Sequence, residues 1–72
     1  MERLPLLNIL EDMKGTQLEL DLILSGQAEP LEIRNVVEAQ PLTSSNGIEV
    51  TTKQNLIWLD ASHVSAAYQA RG

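Results

Sequence analysis

The spacing of apolar residues changes at Gly15, from three and four residues to two, and that change decides most of what the chain can become. Before it, Leu6, Ile9, Leu10 and Met13 recur at helical spacing, Pro5 suits a first helical turn, and Gly15 suits the position just past the end. After it, in "TQLELDLILSG", Leu18, Leu20, Leu22 and Leu24 alternate with Gln17, Glu19, Asp21 and Ile23. This is the repeat of a strand with one buried face, and Ser25-Gly26 ends it. A short amphipathic helix over about 4–14 and a first strand over about 16–24 are therefore expected.

The remaining strands are shorter and less regular. After Pro30, Leu31, Ile33, Val37 and Ala39 point one way, with Glu32, Arg34, Val36, Glu38 and Gln40 the other, which predicts one strand over about 31–40. Asn35 interrupts its apolar series, Pro41 limits its pairing, and "TSSNG" has turn composition. "GIEVTTKQNLIWLD" predicts strands over about 48–53 and 56–60 joined through Lys53-Gln54-Asn55. The run Leu56-Ile57-Trp58-Leu59 is apolar on both faces, as are parts of the earlier strands through Ile23 and Val36. Either the N-terminal helix or another subunit is needed to cover the second face.

The closing stretch "LDASHVSAAYQAR" has two local readings. Asp60 or Ser62 suits the cap of an Ala-rich helix, whereas Val64, Ala66 and Tyr68 alternate with Ser65, Ala67 and Gln69 as in a half-buried strand. Four preceding strands favour the strand, over about 64–69, because a fifth can close a barrel and hide exposed edges.

A chain of 72 residues is one small domain, near the size where a single core gives marginal stability. There is no Cys for a disulfide or thiolate site, and the single His leaves too few nitrogen ligands for an ordinary zinc centre, so no metal or cofactor is expected. Oligomerisation is the expected extra source of stability. Ten acids oppose five scattered cations, giving a net charge of -5, which argues against strong non-specific nucleic-acid binding unless assembly gathers the cations. The apolar residues at the start are interrupted by Pro5 and Asn8 and followed by Glu11 and Asp12, unlike a secretory signal, and no run reaches membrane-spanning length. A cytoplasmic chain is expected.

A short helix followed by five strands, the last two separated by a brief turn, resembles the Sm-like family, in particular its bacterial Hfq type. "PLLNIL" at 5–10 resembles the Pro-aromatic-Leu-Asn-x-Leu opening of the Hfq helix. "LELDLILSG" resembles its first strand and Gly-ended turn, and "VSAAYQAR" at 64–71 resembles its closing Ile-Ser-x-Val-x-Pro-x-Arg strand. The resemblance implies a mainly β fold, with an N-terminal helix and a five-stranded, strongly bent antiparallel SH3-like, Sm-like barrel. It also implies a homo-oligomeric ring of about five to seven subunits. Its seam would join the fourth strand of one subunit to the fifth of the next, through Leu56, Ile57, Trp58, Leu59, Val64, Ala66 and Tyr68.

The family's RNA-binding positions differ here. The acidic residue and glutamine near the helix proline correspond to Leu4 and Arg3, the uridine-stacking aromatic to Ala39, and its adjacent glutamine to Glu38. The Tyr-Lys-His signature falls at about Asp60-Ala61-Ser62, with His63 one place off. Ala39 cannot stack a base, and Glu38 or Asp60 repels phosphate. Arg34, His63 and Arg71 are the remaining candidate RNA contacts. Two functions follow: a post-transcriptional regulator binding single-stranded RNA through divergent pockets, or a scaffold of the same ring fold that engages a protein partner.

Other residue combinations have simpler readings. Asp60, Ser62 and His63 are the residue types of a hydrolytic triad, but three residues within four positions do not supply its convergent geometry, and no enzyme activity is expected. Glu19 and Asp21, with Glu49, form either a patch for a divalent cation or acid/base pair, or, as preferred, a solvated face. Trp58 reads as core or subunit interface, and Tyr68 as a barrel-edge residue with its hydroxyl in water.

Overall fold

The computed structural model describes residues 1–69, so Arg71 lies outside the described residues. A helix, α1 (Arg3–Asp12), precedes six strands: β1 (Glu19–Leu24), β2 (Leu31–Arg34), β3 (Val36–Pro41), β4 (Gly47–Thr52), β5 (Leu56–Asp60) and β6 (Val64–Gln69). A 3-10 turn, Ala61–His63, connects β5 to β6. The strands form two antiparallel three-stranded sheets, ordered β2-β1-β6 and β3-β4-β5. The fold is thus mainly β with one N-terminal helix. Where five strands were expected six form, in two sheets, and among the described residues no pairing joins β5 to β6 to close a barrel.

The expected strand over 31–40 is divided at Asn35, which adopts φ of 56°, in the left-handed region that most side chains avoid. One residue in that conformation turns the chain from the first sheet into the second. The neighbours fix it there: Lys53 N donates to Asn35 O at 3.2 Å, Asn35 Nδ2 donates to Gln54 Oε1 at 3.3 Å, and Gly15 N donates to Val36 O at 3.3 Å. A second irregularity follows at once. Val36 pairs with Thr52 and Glu38 with Thr51, leaving Val37 as the extra residue of a bulge. The inward face consequently reads Ile33, Val36 and Ala39, at three-residue spacing, while Val37 is exposed. The two-residue alternation had placed Val37 inward and Val36 outward, and these two assignments are reversed.

β6 shows the same effect. The pairing Ile23↔Ala66 is followed by Leu24↔Val64, so Ser65 is bulged. Val64 faces the core while Ala66 and Tyr68 face outward, and Ala67, opposite Leu22, packs against the core.

The core lies between the sheets and beneath the helix. Leu6, Leu10 and Met13 project from one side of α1 onto β3, with smaller contacts to β4 and the 3-10 turn. Leu20, Leu22, Ile33, Ile48, Val50 and Val64 fill the space below them. Burying each such side chain stabilises the fold by about 1.5–3 kcal/mol, so the helix supplies a substantial share of a small core. Gly15, at φ of 75°, takes the left-handed step that turns the chain from helix to β1. At the far end Thr52 closes the β4–β5 turn: its hydroxyl accepts from Asn55 N at 2.8 Å and Gln54 N at 3.2 Å. No helix is long and apolar enough to cross a membrane among the described residues.

Candidate functional site

Among the described residues four strands keep one edge free of sheet pairing: β2 and β3, which meet at Asn35, and β5 and β6, which meet at the 3-10 turn. β5 pairs only with β4, and β6 only with β1. A free edge exposes backbone N–H and C=O groups that can template another strand. β5 carries Trp58 at 62% exposure and Leu56 at 47%, and β6 carries Tyr68 at 50% beside Ala66, which is also exposed. Trp58 is therefore not a core residue. Its Nε1 donates to Glu49 Oε2 at 2.9 Å, across the β4–β5 pair, which ties the indole to the outside of the sheet. Ile57 and Leu59 point the opposite way and pack against the core, and Val64 is buried. Of the seven expected seam residues, Leu56, Trp58, Ala66 and Tyr68 present side chains outward. Ile57, Leu59 and Val64 do not, because successive residues of a strand point to opposite faces.

Of the candidate RNA contacts, the two described, Arg34 and His63, are not brought together within one chain. Arg34 sits opposite Glu19, at the start of β1, while His63 precedes Val64, which pairs with Leu24 at the end of β1. His63 is exposed, and its carbonyl accepts from Ser25 N at 2.8 Å. Arg34 forms a close ion pair with Glu19 and a longer one, 3.7 Å, with Glu32. Lys14 is similarly committed to Glu11 at 3.0 Å and Glu38 at 3.8 Å, and Glu11 raises its pKa through their hydrogen bond. Arg3 has a role that sequence reading did not assign: its guanidinium donates to the carbonyls of Leu42, Ser44 and Gly47 and so ties the β3–β4 loop to the helix. Of the cations among the described residues, Lys53 alone makes no ion pair and no side-chain hydrogen bond. Ala39, at the position matching the family's stacking aromatic, faces the core.

The Asp60-Ser62-His63 group is a turn cap. Ser62 N donates to Asp60 Oδ1 at 2.9 Å, and Ser62 Oγ donates to the same oxygen at 2.6 Å. The serine hydroxyl is directed to the carboxylate rather than to the imidazole, the reverse of what a nucleophile needs. These bonds, the hydroxyl's first, hold the Asp60 carboxyl below the ordinary carboxylate range.

A second titratable cluster occupies the solvent-side face of β2-β1-β6. Asp21, on the central strand, is 9% exposed and sits opposite Glu32 on one side and Tyr68 on the other. One carboxylate oxygen each from Glu19, Asp21 and Glu32 lies within 4.8 Å of the others. The Asp21 carboxyl raises the Glu19 pKa through a shared hydrogen bond, burial adds to the rise, and Arg34 opposes it. Glu49, grouped with these residues on sequence, lies in the other sheet beside Trp58. The signal that reaches Glu32 is the β1–β2 register, in which Asp21 pairs with Glu32 across the "SGQAEP" connection.

Two shallow grooves flank these features. One, of about 400 Å³, runs between α1 and β6 and is lined by Ile9, Asp12, Leu18, Tyr68 and Gln69. The other, of about 420 Å³, is polar and lies between β2 and the β4–β5 turn, lined by Arg34, Asn35, Gln54 and Asn55. No protein-family model, curated protein or solved structure matches the chain.

Proposed function

We propose that this chain is a self-assembling module of the Sm-like, Hfq-like kind, whose ring acts as a scaffold for a protein partner. The carrying observation is that, of the four free sheet edges among the described residues, β5 and β6 each bear an exposed aromatic residue on the outward face. Pairing β5 of one copy with β6 of the next satisfies backbone groups on both edges and repeats around a closed ring. Helix, sheet order and the 3-10 link between the last two strands support the Sm-like reading. The single residue between β2 and β3 supports it too, since a strongly bent strand is what that fold requires.

The committed state of the cations favours the scaffold over the RNA regulator. Arg3, Lys14 and Arg34 already serve protein oxygens, and an acidic subunit makes a more acidic ring. The RNA-binding reading draws on exposed His63 and Lys53, with Arg34 at the polar groove and Trp58 as a surface aromatic able to stack a base.

Light scattering on the purified chain tests assembly, with Trp58→Lys as the probe. Trp58 is exposed, so the change leaves the core intact while placing a charge on the edge; Ile57→Asp would confound assembly with folding because Ile57 packs inward. A parent oligomer reduced to monomer by Trp58→Lys supports the seam, and a parent monomer refutes it. Repeating the measurement with short uridine-rich and adenine-rich RNAs separates the functions. Salt-sensitive RNA binding selects the regulator, and a ring indifferent to RNA selects the scaffold.

A further inference from the structure

We propose that Glu19, Asp21 and Glu32 form a calcium site on the solvent-side face of the β2-β1-β6 sheet. Asp21 is central. It lies on the middle strand, nine-tenths buried, and its Oδ1 has no hydrogen-bond partner. A buried carboxylate oxygen without a donor is costly, and such atoms are rare enough in folded proteins to require a cause. Directly opposite stands Glu32, a like charge that destabilises a cross-strand pair unless something lies between.

The cation already present does not resolve this. Arg34 reaches Glu19 closely and Glu32 at 3.7 Å, and Asp21 is not among its partners. Three carboxylates against one guanidinium leave an excess of two negative charges, the charge of one divalent ion. Oxygens within 4.8 Å of one another can surround one centre bonding each at about 2.3–2.6 Å, the calcium range, and calcium accepts the irregular geometry of side chains from two strands where magnesium demands a near-ideal octahedron. The ligand set is oxygen only, as a hard cation requires, and the exposed position of Glu32 leaves room for water to complete the coordination. With three protein ligands on an open face, the site belongs with weak ones, of dissociation constant about 10⁻⁴–10⁻³ M.

The test is urea unfolding of the full chain in calcium chloride against sodium chloride of matched ionic strength. At about 10 mM calcium a millimolar site raises the folding equilibrium constant roughly tenfold. Glu32→Gln, at an exposed position that tolerates the change, is expected to lose that rise whatever its own stability, as is Asp21→Asn. Glu29→Gln, an exposed acid outside the cluster, is expected to keep it. An equal calcium effect in all four chains would mean general charge screening and overturn the site. No effect in the parent would overturn it as well. Equal stabilisation by magnesium chloride would overturn the assignment to calcium.

Discussion

Replacing Asn35 by valine is expected to destabilise the fold by about 1–2 kcal/mol, although the residue is only half-buried. Asn35 holds φ of 56° where the chain first passes from one sheet to the other, between β2 and β3. The left-handed conformation costs an ordinary residue about 1–2 kcal/mol, less for asparagine, and most for a β-branched side chain. Valine also removes the Nδ2 bond to Gln54, an exposed contact that adds only a few tenths. A loss of about 1–2 kcal/mol lowers the melting temperature of a domain this size by roughly 5–15 °C. Glycine provides the contrast. It takes the same φ without a Cβ, so Asn35→Gly is expected to stay within about 0.5 kcal/mol of the parent, its gain in the folded state offset by unfolded-chain entropy. Far-UV circular dichroism during urea or thermal unfolding reads both, at one fixed protein concentration because assembly adds a mass-action term. If valine matches the parent while glycine is the worse of the two, Asn35 is not the hinge between the sheets and the strain argument fails.

Two further predictions concern the loop and the turn. A Cβ at Gly47 meets Leu42 Cβ at 3.1 Å and the Ser44 hydroxyl at closer range, in the loop that Arg3 ties down, so Gly47→Ala is expected to cost about 1–3 kcal/mol by overpacking. Gly47→Ala with Ser44→Ala, which removes the rotatable part of the clash, is expected to recover some but not all of it, as read by urea midpoints. Asp60 predicts a pH dependence. Its folded pKa is depressed below 3.8, so the unfolded chain binds the proton more readily; the stability this supplies is complete above that value and is lost as pH falls through the folded pKa. Glu19 acts in the opposite sense: its pKa is raised above 4.5, so stability falls as pH rises through the window between that value and the folded one. Asp60→Asn is therefore expected to flatten the acid limb of the urea midpoint against pH, and Glu19→Gln to flatten the limb above it. An unchanged acid limb in Asp60→Asn would show that Ser62 does not stabilise the carboxylate.

Periodicity carried the helix and β1 because each turns its regularly spaced leucines to the core. Leu6, Leu10 and Met13 lie on a single side of α1, and Leu20 and Leu22 on a single side of β1, so local spacing and three-dimensional burial coincide. The exposed edge of β5 was less legible: a run apolar on both faces says that both are covered, but not by what, and Trp58 was open to either core or interface. Composition also pointed to the turn chemistry, through Gly15 and the Thr52–Asn55 connection.

Only the tertiary structure decided where the alternation slips. Val36 and Val37 exchange faces because Asn35 turns left-handed and Val37 bulges, and Val64 turns inward because Ser65 bulges; each slip is fixed by pairing with another strand, β4 in the first case and the distant β1 in the second. The acidic cluster has the same origin. Asp21 and Glu32 are eleven positions apart and become neighbours only through the β1–β2 register. Whether Arg34 serves a ligand or Glu19 likewise depends on that register, since the two face each other across the same pair of strands. A single strand specifies which residues share a face up to its first irregularity. What lies opposite each of them is a property of the sheet, set by hydrogen bonds and packing that no local pattern contains.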